Sequence, residues 1–247
     1  MIQLPTKPTV VSYTGNKAIF EIYPLYPGYG TTVGNSLRRV LISSIEGAAI
    51  TSVKISGVDH EFSTIKGVAE DVIDIIVNLK KVRLKLFSDE PVTLTLESKG
   101  QGVITAADIK ATSDVEIVNP EQEIATITDK KCDVQIEIRV EKGVGYVPVE
   151  FRQKEKLGVG AIAVDAIFSP VKSVNYNVEN IRVGNRTDYN KVLLEIETDG
   201  TVTPHEALKR ASKILMDYFS AVNELDVPET KEKAKAKKEP KTKKAKK

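Results

Sequence analysis

Residues 28–47 read Gly28-Tyr29-Gly30-Thr31-Thr32-Val33-Gly34-Asn35-Ser36-Leu37-Arg38-Arg39-Val40-Leu41-Ile42-Ser43-Ser44-Ile45-Glu46-Gly47. Within this stretch Val33, Leu37, Val40, Leu41 and Ile45 recur at i, i+4, i+7, i+8 and i+12, the period of a helix with one apolar face. The pattern predicts a helix with a threonine cap after Gly30, ended by Gly47 in a left-handed conformation. Arg38 and Arg39 stand side by side in it. By residue type alone, such a pair reads as a solvated helix face.

Outward from this helix the chain is dominated by alternation. Ala18-Ile19-Phe20-Glu21-Ile22-Tyr23 is rich in strand formers and follows the turn-like Thr14-Gly15-Asn16-Lys17. Val92, Leu94 and Leu96 alternate with threonines, and Val134, Ile136, Ile138 and Val140 alternate with polar residues. Val174, Tyr176 and Val178 repeat the period, as do Val192, Leu194 and Ile196. A period of two means strands with one face buried and the other wet. Gly184-Asn185-Arg186-Thr187-Asp188, between the last two runs, has the composition of a turn, and an Arg–Asp pair is the simplest lock for it.

Two further helices are legible. One covers about residues 69–79, with Val72, Ile73, Ile76 and Leu79 on one side. The other opens with Thr203-Pro204-His205-Glu206, a capping box with proline at the first helical position. Leu208, Ala211, Leu215, Tyr218, Val222 and Leu225 then step by three and four, as a heptad seam does. Ala207, Ile214, Phe219 and Ala221 widen the apolar stripe to more than half the helix; the pattern suits either burial on the chain's own sheet alone or burial on two sides, by that sheet and by another chain.

Charge divides the chain in two. Residues 229–247 hold ten lysines against three glutamates, a net of +7, so with the whole chain at +2 the remainder carries −5. The tail has no aromatic and no large aliphatic residue, cannot bury enough apolar area to offset its ordering entropy, and is expected to be disordered. No apolar run approaches the roughly 20 residues a membrane span requires. The opening residues, Met1-Ile2-Gln3-Leu4-Pro5, have no basic stretch followed by an apolar one. With Cys132 as the one cysteine, a reducing cytoplasm is expected, and no membrane association.

From Tyr29 to Ser44 the chain resembles the signature of bacterial RNA polymerase α subunits. Four later blocks continue the likeness in the same order. They are Gly57-Val58-Asp59-His60-Glu61-Phe62-Ser63-Thr64, with Gly67-Val68-Ala69-Glu70-Asp71 and Asn78-Leu79-Lys80; Gly145-Tyr146-Val147-Pro148; Val164-Asp165-Ala166-Ile167-Phe168-Ser169-Pro170-Val171; and Tyr176-Asn177-Val178-Glu179, with Arg182-Val183 and Arg186-Thr187-Asp188.

The resemblance implies an α+β fold in two domains. Residues 1–46 and 175–225 would form a dimerisation domain, residues 47–174 an inserted α+β domain, and residues 226–247 a lysine-rich tail. The first and last helices would pair with their mates in a second copy, through Val33, Leu37, Leu208, Ala211, Leu215, Tyr218 and Val222. In the family the second arginine of Leu-Arg-Arg helps to bind the β subunit. Here that residue is Arg39, with Arg38 and Ile42 beside it. The implied role is a homodimeric, non-catalytic scaffold for β and β′ in a DNA-dependent nucleotidyltransferase, in the cytoplasm at the nucleoid. DNA would be met through the assembled enzyme. The lysine-rich tail, at +7 beside a body of −5, reads either as a weak, sequence-blind tether to DNA or as a solubilising tail with no partner. Family members usually continue into a small helical DNA-binding domain, which the residues after Leu225 do not match. Promoter-element recognition is therefore not expected.

The residue types argue in the same direction. Two-metal polymerase chemistry needs clustered carboxylates, which the family keeps in another subunit together with the Mg²⁺. Glu70, Asp71 and Asp74 fall at helical spacing, but acids near a helix start favour its dipole, and that is the expected role. His60 and His205 have no second ligand at metal-binding spacing, and no phosphate-binding loop is present. No catalytic residue, metal or cofactor is expected in this chain. A standalone nucleic-acid binder and a metabolic enzyme are the rival readings; the acidic body without a reader motif disfavours the first, and the five ordered blocks disfavour the second.

Overall fold

The computed structural model describes residues 4–152, 158 and 160–224. In chain order, β1 (Thr9–Thr14) and β2 (Lys17–Leu25) lead into α1 (Tyr29–Ser43) and β3 (Glu46–Ile55). Next come α2 (Val72–Leu79), β4 (Leu84–Leu86), β5 (Val92–Lys99), β6 (Gly102–Thr105), β7 (Ile109–Lys110), β8 (Val115–Ile117), β9 (Glu123–Ile127) and β10 (Asp133–Val144). The remainder is β11 (Tyr146–Val147), α3 (Val149–Arg152), β12 (Ala161–Ala163), β13 (Ala166–Ile167), the long hairpin β14 (Val171–Val183) and β15 (Arg186–Thr198), and α4 (Pro204–Asn223). The fold class is α+β, as expected.

Two antiparallel sheets organise the chain, one ordered β1-β2-β15-β14 and the other β12-β3-β10-β5-β7. Their alternation is the sequence pattern made solid. In β15, Val192, Leu194 and Ile196 are fully buried, and in β10 Val134, Ile136, Ile138 and Val140 line the inner face. Each such side chain contributes about 1.5–3 kcal/mol of burial free energy. Two separate apolar clusters result. One runs from Ile50 to Val164 and packs α2 against the five-stranded sheet. The other joins Ala18, Phe20, Leu37, Leu41 and Ile45 to Val171, Val174, Val192, Leu194, Leu208 and Ala211, packing α1 and the first half of α4 on the four-stranded sheet. By contact density the chain divides at the middle of α4, into residues 1–215 and 216–247. The described part of the second unit is the end of that helix, to residue 224.

Several helix ends differ from expectation. No threonine caps α1; its N-cap is Gly28, at φ 85°, with no side-chain bond of its own. The helix stops at Ser44, not at Gly47, which lies inside β3. Gly47 is needed for a different reason: a Cβ there would collide with the carbonyl oxygen of Phe168. α2 begins three residues later than its periodicity suggested, because Asp71 accepts the Asp74 N–H at 2.8 Å and makes itself the cap. At α4 the Thr203 hydroxyl accepts the Glu206 N–H at 3.3 Å. The Glu206 carboxylate turns to Arg210, at 2.5 Å, and not back to the cap.

Candidate functional site

The site is built on α1, and its seat comes first. Gly30 and Gly34 lie one turn apart on the helix face that meets β14 and β15. A Cβ on Gly30 would stand 2.6 Å from Val178 Cγ1, and one on Gly34 would stand 2.6 Å from the ring of Tyr176. The two glycines thus let the helix backbone lie directly on the strands. The first turn is held from outside the helix. Asn190 of β15 accepts the N–H groups of Gly28 at 2.9 Å and Gly30 at 3.3 Å, satisfying donors that have no partner within the helix.

With the inner face so placed, Leu37 and Leu41 enter the core, and Arg38, Arg39 and Ile42 are left exposed on the outer face. Together with Ser43 and Val174 they line a shallow hollow. The two arginines are not equivalent. Arg38 lies over the Tyr176 ring, 5.5 Å from its centroid, and its Nη2 donates to Asn35 Oδ1 at 3.4 Å. Arg39 has no side-chain partner among the described residues. Its planar fork of five donors is therefore available for a carboxylate or a row of carbonyls on another chain. The end of α1 is anchored below this surface by Ser169, whose hydroxyl donates to the Ile42 carbonyl at 3.1 Å.

The residues expected at a dimer interface fall into three groups. Leu37, Leu208 and Ala211 are buried in the chain's own core. Val33 and Leu215 are partly buried against the same cluster. Tyr218 and Val222 are 72% and 71% exposed, beside Met216 at 61% and Phe219 at 67%. Four large apolar side chains exposed within seven residues of one helix form a patch of the kind soluble monomers rarely leave open.

The turn between β14 and β15 is Gly184-Asn185 alone, and Arg186-Thr187-Asp188, expected within that turn, opens β15, where the Arg–Asp pair lies along one strand. Arg186 Nε and Nη2 meet the two oxygens of Asp188 at 3.0 and 2.6 Å. The pair holds Asp188 below the usual carboxylate range. The same guanidinium lies over the rings of Tyr26 and Tyr189, at 5.6 and 5.4 Å, so the hairpin tip is tied to the segment that precedes α1.

Two of the three acids near α2 have structural partners. Asp71 is the cap already described, and Glu70 accepts the Thr126 N–H at 2.6 Å. Among the described residues there is no group of three or more His, Cys, Asp or Glu side chains placed to hold a metal ion. His60 Nδ1 lies 3.1 Å from the Ser63 hydroxyl, within its own turn, and His205 is exposed on the first turn of α4. Among the same residues no helix is long and apolar enough to cross a membrane. The lysine-rich tail lies outside the described residues.

Asn190, Tyr176 and the Gly30–Gly34 pair were not recognised from sequence as parts of this site. One signal was available. Asn190 continues the buried phase of Val192, Leu194 and Ile196, where a polar residue requires a partner.

Comparison with known proteins adds the wider context. Residues 53–169 match the RNA polymerase Rpb3/RpoA insert domain. Over 213 residues the chain is 51% identical to the DNA-directed RNA polymerase subunit alpha of Roseiflexus castenholzii, covering 86% of this chain and 65% of that protein. It is 54% identical over 200 residues to the protein of the same name from Moorella thermoacetica, covering 81% and 64%. With that of Alkaliphilus oremlandii it shares 50% identity over 201 residues, covering 81% and 63%. The chain thus spans somewhat under two thirds of the length of these relatives.

Proposed function

Since the chain belongs to the family of RNA polymerase α subunits, we propose that it is a homodimeric scaffold on which the β and β′ subunits of a DNA-directed RNA polymerase assemble. In this reading it contributes no catalytic group, and the Mg²⁺ ions of nucleotidyl transfer sit in a partner subunit. The observation that carries the reading is the contrast on α1: Arg38 is occupied by Tyr176, while Arg39 stands exposed and unpaired beside Ile42. Arg39 is the proposed β contact, with Ile42 and the rim of Arg38 completing its surface.

The exposed end of α4 is the proposed dimer contact. Tyr218 and Val222, joined by Met216 and Phe219, have apolar area to give to a second copy. Val33 and Leu215 would sit at the margin, and Leu37, Leu208 and Ala211 would support the contact from beneath. The proposed division into a dimerisation domain and an insert is supported by the two apolar clusters. They favour a second boundary slightly earlier than residue 174, because Val171 and Val174 pack with the four-stranded sheet. The lysine-rich tail is proposed as a weak, sequence-blind tether to DNA, on the strength of its +7 charge against a body of −5.

The deciding experiment is capture. Tagged chain, mixed with purified β and then β′, should retain both as a complex containing two copies of this chain. Retention of neither large subunit would end the scaffold reading.

A further inference from the structure

Asn190 is 7% exposed on the inner face of a strand whose next inner residues are Val192, Leu194 and Ile196. An amide in that position is costly unless its groups are bonded. Here both ends are used. Its Oδ1 accepts from Gly28 and Gly30, at 2.9 and 3.3 Å, and its Nδ2 donates to Oδ1 of Asn180, at 3.0 Å. Asn180 is its cross-strand partner in the β14–β15 ladder. The orientation of the Asn190 amide is therefore determined, since the reverse would aim its NH₂ at two N–H donors. Gly30 is shaped to the same contact: a Cβ there would lie 2.9 Å from Asn190 Cβ. A cap normally comes from a residue adjoining the helix. This one comes from a strand 160 residues later.

We infer that Asn190 is a positioning residue for the partner-binding face of α1. It bonds the first turn to the β14–β15 hairpin, and so sets the tilt and height at which Arg39 and Ile42 meet another chain. The inference rests on the reading of Arg39 as the β contact. Replacing Asn190 with alanine leaves the amides of Gly28 and Gly30 without their acceptor and lets the helix shift on the Gly34–Tyr176 contact. Aspartate keeps both acceptor bonds and adds a charge that a helix N-terminus favours, while the amide of the exposed Asn180 can rotate to donate to it.

The test measures capture of purified β subunit by the intact chain, with amide hydrogen exchange of the first turn of α1 read alongside. Asn190→Ala should speed exchange at Gly28 and Gly30 and weaken capture by about fivefold, the loss of one cap. Asn190→Asp should restore both. In an Arg39→Ala background Asn190→Ala should cost a smaller fraction of the remaining capture, the part that passes through Ile42. Should the alanine variant not fold, Asn180→Ala, which frees the cap to rotate, should give the same pattern in smaller degree. Unchanged exchange in these variants, unchanged capture despite faster exchange, or the same fractional loss with and without Arg39 would each overturn the inference. If Arg39→Ala alone leaves capture intact, the contact reading fails. Asn190→Ala that still weakens capture would then keep the positioning role and move the contact elsewhere on α1, whereas silence from both variants would reject both ideas.

Discussion

The guanidinium of Arg38 lies 5.5 Å from the centre of the Tyr176 ring, and the guanidinium of its neighbour Arg39 has no partner among the described residues. Two adjacent arginines thus stand in different surroundings. Arg39→Ala should change stability by no more than about 0.5 kcal/mol, as exposed substitutions do. It should weaken β capture by about 2–5 kcal/mol, the usual cost of truncating one side of a desolvated charged contact. Arg38→Ala should show the opposite balance, losing about 0.5–1 kcal/mol of stability with its ring contact and little of the capture. Urea unfolding and competition capture on the same preparations check both halves.

Tyr218 and Val222 are exposed, whereas Leu215 is partly buried in the protomer itself. A charge at Leu215 would therefore confuse dimer loss with core damage. Tyr218→Asp combined with Val222→Asp touches the exposed end alone. Light scattering at micromolar concentration should give a monomer with an unchanged circular dichroism spectrum. A dimer that persists in this double variant would exclude the α4 end as the interface.

Gly34→Ala sets two effects against each other. Alanine is the better helix former by about 1 kcal/mol. Its Cβ, however, would lie 2.6 Å from the Tyr176 ring, and overpacking of this kind costs about 1–3 kcal/mol. The clash should win, lowering the urea midpoint, and the lifted helix should also capture β less well. A stabilised variant would mean that Tyr176 yields at no cost.

Asp165 accepts the Val149 N–H at 3.0 Å, with Lys80 at 3.7 Å and the Tyr146 hydroxyl also against it. The Val149 bond first, and then Lys80 and Tyr146, hold its carboxyl below the ordinary 3.8. Because the folded value is the lower one, the stabilisation is complete above the ordinary value and is lost as pH falls through the folded one. Wild type should therefore exceed Asp165→Asn in stability by a constant margin at neutral pH, and the margin should shrink below about pH 4. Urea midpoints across that range test it. A margin that grows in acid would contradict the assigned direction.

The lysine tail can be tested by truncation after Val227. The intact chain should bind arbitrary duplex DNA at low salt, with log K falling against log salt at about −0.9 per phosphate neutralised. The truncated chain should not bind. Equal binding by both forms, or a preference for particular base sequences, would refute the tether, since flexible lysines on phosphates carry no base information.

The strands were legible because one-sided burial leaves a direct trace. Val192, Leu194 and Ile196 had to alternate with polar residues for β15 to be wet on one face and dry on the other. The apolar face of α1 was legible for the same reason, at a period of 3.6. Its ends were not. Thr31 and Thr32 offered a local cap, but Asn190 reaches the first turn from across the sheet, and a bond between residues so far apart has no period. Gly47 looked like a helix stop, yet its small size serves the close approach of Phe168.

By itself the sequence determined the buried phase of the long strands and of α1, where the long strands and helices lie, and, through five ordered blocks, the family likeness; on α2 it put Ile73 on the inner face, where Ile75 is buried and Ile73 is exposed. Those properties are written in spacing and composition along the chain. The tertiary structure alone decided that Arg38 is occupied and Arg39 is not, that Leu208 is buried while Val222 in the same heptad seam is exposed, and that a strand asparagine begins the first helix. Each depends on which atoms meet after the sheets have formed. Hydrogen bonds and ring contacts are settled within a few ångströms in space, a distance that separation along the chain does not encode.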